Sequence, residues 1–193
     1  MTEMPGMVEP FRHTLHGGDA AYPRHLVTYL GKQAPEAVFV WGNLAQRPLA
    51  SGPLLAFICS AQAPASVLLA VHDRAQQWRQ GPQVIISGFH SPVEQEALTV
   101  LLRGPAAVIC CPARGLFQHL KPEWRAALAA GRLTILSPFP DSIHRATRET
   151  AVYRNRFVAA LADEVFVAYA HPGGHTEQLV QEITAWGKPL YTL

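Results

Sequence analysis

Seven short runs of apolar, β-branched and aromatic residues recur along the chain, at 38–41, 54–59, 83–87, 106–110, 133–136, 164–169 and 189–192. Runs of this length and content predict strands. Between most of them the apolar positions fall at helical spacing, which predicts helices over 65–78, 93–102, 122–130, 144–161 and 176–186. "GPQVIISG" and "PAAVICC" are continuously apolar rather than alternating. Such strands are covered on both faces.

Strand and helix in alternation predict an α/β fold: a single doubly wound, mostly parallel Rossmann-like sheet with helices on both faces. In such a sheet the ligand crevice lies beyond the carboxyl ends of the strands. Four loops occupy that position: "CSAQAP", "SGFHSP", "CPARG" and "HPGGHT". Residues 1–21, polar and glycine-dotted, read as a mobile N-terminal arm, and residues 22–193 as the domain.

The composition narrows the classes. At 193 residues and 49% hydrophobic the chain fits one globular domain, and a net charge of +2 announces neither a nucleic-acid nor a membrane protein. Of its 16 basic residues 13 are Arg, the side chain that forks onto phosphate, although a GC-rich genome also raises Arg counts. Cys59, Cys110 and Cys111 have no C-x-x-C spacing, which suits buried thiols in a reducing cytoplasm. The start "MTEMPGMVEP" has no apolar signal core, and the charge-free run 53–71 is split by Pro64 and by Ser60, Gln62 and Ser66, so a soluble reading without a membrane span is preferred.

Several loops carry candidate chemistry. In "HPGGHTEQLVQEI", Gly173 and Gly174 let the backbone approach a ligand, and the helix behind Thr176 offers free N–H groups to an anion. The plainer reading is a turn into a helix capped by Thr176. "SGFHSP" has the same form, with Ser87 and Gly88 ending a strand and Ser91 and Pro92 opening a helix; "CSAQAP", with Ser60, has no glycine. Arg145, Arg148, Arg154 and Arg156 cluster around Asn155, and one of the last two arginines is expected to face the crevice or a partner. Glu94, Glu96, Glu177 and Glu182 are candidate bases, but nothing in the sequence buries one beside a substrate. The nine histidines have no persuasive metal spacing, and no nucleophile elbow, P-loop or dinucleotide fingerprint is present. No catalytic residue, metal or cofactor is therefore expected.

"YPRHL" with "VFVWGNL", "VIISGFHSPVEQEAL", "YRNRFVAALADEVFVAYA" and "GGHTEQLVQEITAWGKPLYTL", in that order, resemble the DNA-processing protein family DprA, also called Smf. The R-N-R segment is the most specific of these blocks. The resemblance implies a protein that binds single-stranded DNA, forms homodimers and helps load a RecA-type recombinase without catalytic turnover. The family's Gly-Ser-Arg loop reads Cys59-Ser60-Ala61 here, and its Ser-Gly-x-Ala-Arg-Gly-x-Asp loop has Ser91 at the Arg position and Glu94 at the Asp position. Two phosphate-holding arginines are thus replaced, and the resemblance then implies weaker DNA binding.

Pro172, Gly173, Gly174 and Thr176 also resemble the Pro-Gly-Gly-x-Gly-Thr-x-x-Glu loop of the "lonely guy" phosphoribohydrolases, but Leu179 stands where that family has its glutamate. Three readings remain open. The first is a DNA-binding protein of recombination or transformation, with Ser60, Ser87, Gly88, Ser91, Arg154, Asn155, Arg156, Gly173, Gly174 and Thr176 at its site. The second is a nucleotide-binding or phosphoribohydrolase-like protein using the same loops, and the third an interaction protein that has lost its ligand.

Overall fold

A computed structural model of the chain describes residues 12–42 and 53–193. Asn43 and Leu44 of the "VFVWGNL" motif, like residues 1–11, lie outside the described residues. The strands are β1 (Arg12–His16), β2 (Ala37–Trp41), β3 (Leu54–Cys59), β4 (Val84–Ser87), β5 (Val108–Cys110), β6 (Leu133–Ser137), β7 (Glu164–Tyr169) and β8 (Leu190–Thr192). The helices are α1 (Arg24–Leu30), α2 (Ala65–Trp78), α3 (Pro92–Leu101), α4 (Pro122–Ala129), α5 (Arg148–Leu161) and α6 (His175–Ala185).

All eight strands form one sheet in the order β1-β2-β6-β5-β4-β3-β7-β8. The six strands from β6 to β8 are parallel, while β2 pairs antiparallel with β6 and β1 antiparallel with β2. The expected α/β fold is observed, with an antiparallel margin of two strands. β1 falls inside the stretch assigned above to an arm: residues 12–16 pair with β2, and Tyr22 is buried against the sheet.

Side-chain alternation on fully covered strands explains the continuous apolar runs. On β3, Leu55, Phe57 and Cys59 enter one core with Val71, Trp78, Ala97 and Leu101 of α2 and α3, and with Leu128 of α4. Leu54, Ala56 and Ile58 enter the other with Leu26, Phe157 and Ile183 of α1, α5 and α6. Both faces are thus dry, and every residue of β3 is buried. Among the described residues no helix is long and apolar enough to cross a membrane.

The carboxyl end of α5 is closed by Lys188, which is buried. Its Nζ donates to the carbonyls of Ala159 and Ala160 at 2.8 Å and to that of Ala162, and it lies 4.0 Å from the centre of the Tyr29 ring. A cation on the helix's unpaired carbonyls complements the negative end of its dipole.

Candidate functional site

The direction of winding reverses between β3 and β7: the chain leaves β3 toward β4 on one side, and leaves β7 toward β8 on the other. The crevice expected at this point is sewn together by its own loops. The Ser60 amide donates to the Tyr169 carbonyl at 2.9 Å, and the His171 amide donates to Ser60 Oγ at 3.0 Å. Gly173 holds a left-handed φ of 70° and donates its N–H to Glu177 Oε2 at 2.8 Å. Gly174 is the cap of α6, where a Cβ would stand 2.8 Å from the His171 carbonyl oxygen, and Thr176 is buried in the first turn.

A second carboxylate closes the neighbouring strand end. Glu94, in the first turn of α3, is buried, and its Oε1 accepts from the Cys59 amide at 3.0 Å while Oε2 accepts from the amides of His90 and Ser91 at 2.9 and 3.0 Å. Ser91 Oγ in turn accepts from the Glu94 amide at 3.2 Å, completing a capping box that also reaches back 35 residues to β3. Three N–H groups at two strand ends, the donors a phosphate would seek there, are thus filled by an internal anion. Ser87 has no solvent exposure, and its Oγ accepts from the Phe89 amide at 3.2 Å, holding Phe89 at a left-handed φ of 47°. A bulky side chain in that region stores strain of roughly 1–3 kcal/mol, sustained here by the buried ring.

The R-N-R segment divides its labour. Arg154 is buried, with Nη1 donating to the Cys111 carbonyl at 2.8 Å and Nε to Asn155 Oδ1 at 2.8 Å. Its guanidinium fills the space beside Gly88, where a Cβ would fall 1.4 Å from Nη1. Asn155 therefore aims the arginine, and Gly88 makes room for it.

Arg156 points elsewhere. Its Nε reaches both Glu182 oxygens at 3.0 and 2.8 Å, Nη2 reaches Oε1 at 2.5 Å, and Nη1 reaches Gln33 Oε1 at 2.5 Å. The hydrogen bonds to Glu182 raise the Arg156 pKa above its ordinary value. This fork ties α5 to α6. Arg156→Ala is expected to cost about 1–2 kcal/mol in chemical denaturation, and to leave ligand affinity within about twofold, a free-energy change well under 1 kcal/mol.

An open cleft of about 1010 Å³ lies one strand over, above the carboxyl ends of β4 and β5 and between α3 and α4. Arg103, Arg114, Lys121, Arg145 and Arg154 line it, against the single carboxylate of Glu123. Arg103, Lys121 and Arg145 are exposed, whereas Arg114 is half-buried, its Nη1 donating to the His144 carbonyl at 3.1 Å and its guanidinium 5.0 Å from the Phe117 ring centre. A second cavity of about 670 Å³ adjoins it, also lined by Arg114 and His144. The three thiols are free and buried. Burial pushes Cys59 and Cys110 up to about 12 and Cys111 well above its ordinary value, Cys59 and Cys110 with a further push from the Glu94 charge and Cys111 from Cys110.

Of the residues expected at the site, Gly88 and Arg154 reach the cleft. Ser87 and Ser91 support its β4 loop from within, while Ser60, Gly173, Gly174 and Thr176 lie at the switch point, outside the cleft. Arg103, Lys121 and Trp124 carry no motif, and only the rule of strand ends, which marks "CPARG" and hence Arg114, points toward them. Among the described residues no group of three or more His, Cys, Asp and Glu could hold a metal ion.

The profile of the family described as DNA recombination-mediator protein A matches residues 13–188. An X-ray structure of DNA processing protein A (DprA) from Streptococcus pneumoniae is similar over 93% of this chain, with a TM-score of 0.77 and 20% identity. This chain spans 62% of that one. A DNA processing protein A structure from Helicobacter pylori, described as giving insight into its single-stranded DNA binding mode, is similar over 94% of this chain and 80% of its own, with a TM-score of 0.71 and 20% identity. Among curated proteins none matches the sequence.

Proposed function

Since the chain belongs to the DNA recombination-mediator protein A family, we propose that it is a DNA-processing protein of recombination or transformation that binds single-stranded DNA in the cleft between α3 and α4. The observation that carries the reading is the charge of that cleft: five cationic side chains and one carboxylate on a protein whose net charge is only +2. Concentrated on one concave face, Arg103, Arg114, Lys121 and Arg145 offer a strand successive phosphate contacts. Arg154 acts from below, holding the β4 and β5 loops at the spacing that shapes the cleft floor.

The same loops do not favour a phosphoribohydrolase. Glu177 and Glu182, the carboxylates nearest the one that chemistry needs, are engaged by Gly173 and Arg156, and Leu179 is buried in the core. A homodimer and a RecA-type recombinase as partner rest on family membership, and light scattering with and without recombinase checks both.

Fluorescence anisotropy of a labelled oligothymidine tests the DNA reading. The logarithm of affinity is expected to fall linearly with the logarithm of salt, and Arg103→Ala, Lys121→Ala and Arg145→Ala each to flatten that slope by about 0.7. Binding that ignores salt, or no binding at low salt, would refute the proposal and leave an interaction protein as the better description.

A further inference from the structure

Three large aromatic rings, for which phosphate binding has no use, also line the cationic cleft: Phe89, which is buried, and Phe117 and Trp124. Phe117 and Trp124 pack edge to face, with centroids 5.6 Å apart and planes at 87°. Both abut the core beneath α3 and α4, yet both remain half-buried and line the open cleft. Arg114 lies over Phe117, so the half-buried Trp124 indole and the Arg114 guanidinium stand side by side as flat groups lining the cleft. Lys121, three residues before Trp124, and Arg145 supply exposed cations on the same cleft.

Flat π-surface flanked by cations is what an unpaired nucleotide recognises, base against ring and phosphate against ammonium or guanidinium. Resting on the DNA-binding reading above, we infer that Trp124, supported by Phe117 and with Arg114 beside it, is a nucleobase-stacking site that makes the cleft select unpaired bases rather than phosphates alone. In a duplex each base is already stacked between neighbours, so its faces cannot reach the indole. The cleft's charge sets how salt-sensitive binding is. Trp124 sets whether the strand must be single.

The test uses the full chain and three oligonucleotides of equal phosphate count: oligothymidine, an abasic strand and a duplex. The wild-type protein is expected to bind oligothymidine on the order of tenfold more tightly than the abasic strand, with the same salt slope. Trp124→Ala should lower oligothymidine affinity to the abasic level while leaving abasic binding unchanged, and Trp124→Phe should restore most of the difference. Equal wild-type affinity for the abasic strand and oligothymidine would overturn the inference and spare DNA binding. So would a Trp124→Ala variant that keeps the wild-type unfolding midpoint yet loses both ligands in parallel, since Trp124 would then shape the cleft rather than hold a base. If none of the three ligands binds at low salt, the function proposed above falls, and this inference falls with it.

Discussion

Gly88→Ala is expected to lower stability by about 2–4 kcal/mol and to weaken DNA binding, although it adds one methyl group at an ordinary backbone conformation. The three atoms nearest the new Cβ all belong to the Arg154 guanidinium, at 1.4, 1.8 and 2.4 Å, so the two cannot coexist. The guanidinium must swing into the cleft, abandoning the Cys111 carbonyl and Asn155. A charge-assisted bond lost from a buried carbonyl accounts for most of the cost. The decisive measurement is a double-mutant cycle. In an Arg154→Ala background Gly88→Ala should cost less than about 1 kcal/mol, because the obstacle is gone. Additive losses would mean that Gly88 is needed for some reason other than Arg154.

Alkaline pH should unfold the protein steeply. Cys59 and Cys110, at about 12, and Cys111 have folded pKa values raised by burial well above the thiol's usual 9. Their contribution is complete below about pH 9 and is lost as pH rises toward 12, because only the unfolded chain releases those protons. Tyr153, pushed up to about 12 by burial, adds a loss above pH 10. Lys188 opposes them: burial pulls it down to about 8, so between there and its ordinary 10.5 the unfolded chain holds the extra proton and stability rises.

Three thiols outweigh one amine. Stability is expected to peak between pH 8 and 9 and then to fall by about 3 kcal/mol per pH unit, enough to exhaust a typical domain's stability within a few units. Urea titrations across this range give the slope, and a variant with all three cysteines replaced by alanine should lose most of it. A flat profile above pH 9 would show that the thiols ionise alike in both states.

The sheet was legible because its parallel strands are covered on both faces and read as unbroken apolar runs, of which "GPQVIISG" is the clearest. β1 and α1 escaped for the opposite reason. In "RHTLH" only Leu15 is buried, and the seven residues of α1 bury only Leu26 and Leu30, too little for either periodicity to register. At the site, glycines and strand ends marked the right edge of the sheet. What they could not reveal is pairing across distance: that Glu94 reaches the Cys59 amide, or that Arg154 needs a bare Gly88. The cleft is built from three separate connections, so although Arg145 stands out in the arginine cluster, nothing along the chain joins it to Arg103 and Lys121.

The carboxylate of Glu94 on the amides of Cys59, His90 and Ser91 bears on competition from small anions. A site that offered those amides to solvent would be titrated by free phosphate and metabolite nucleotides, each needing only one good seat. With the seat filled by a tethered negative charge, such monomers meet repulsion at the ends of β3 and β4 and find their cations only across the neighbouring cleft. A polymer differs, because once one phosphate is held the next is delivered at high effective concentration. On the DNA-binding reading proposed above, the internal anion is therefore expected to favour chain length over small phosphates, which competition of free phosphate against labelled oligothymidine checks.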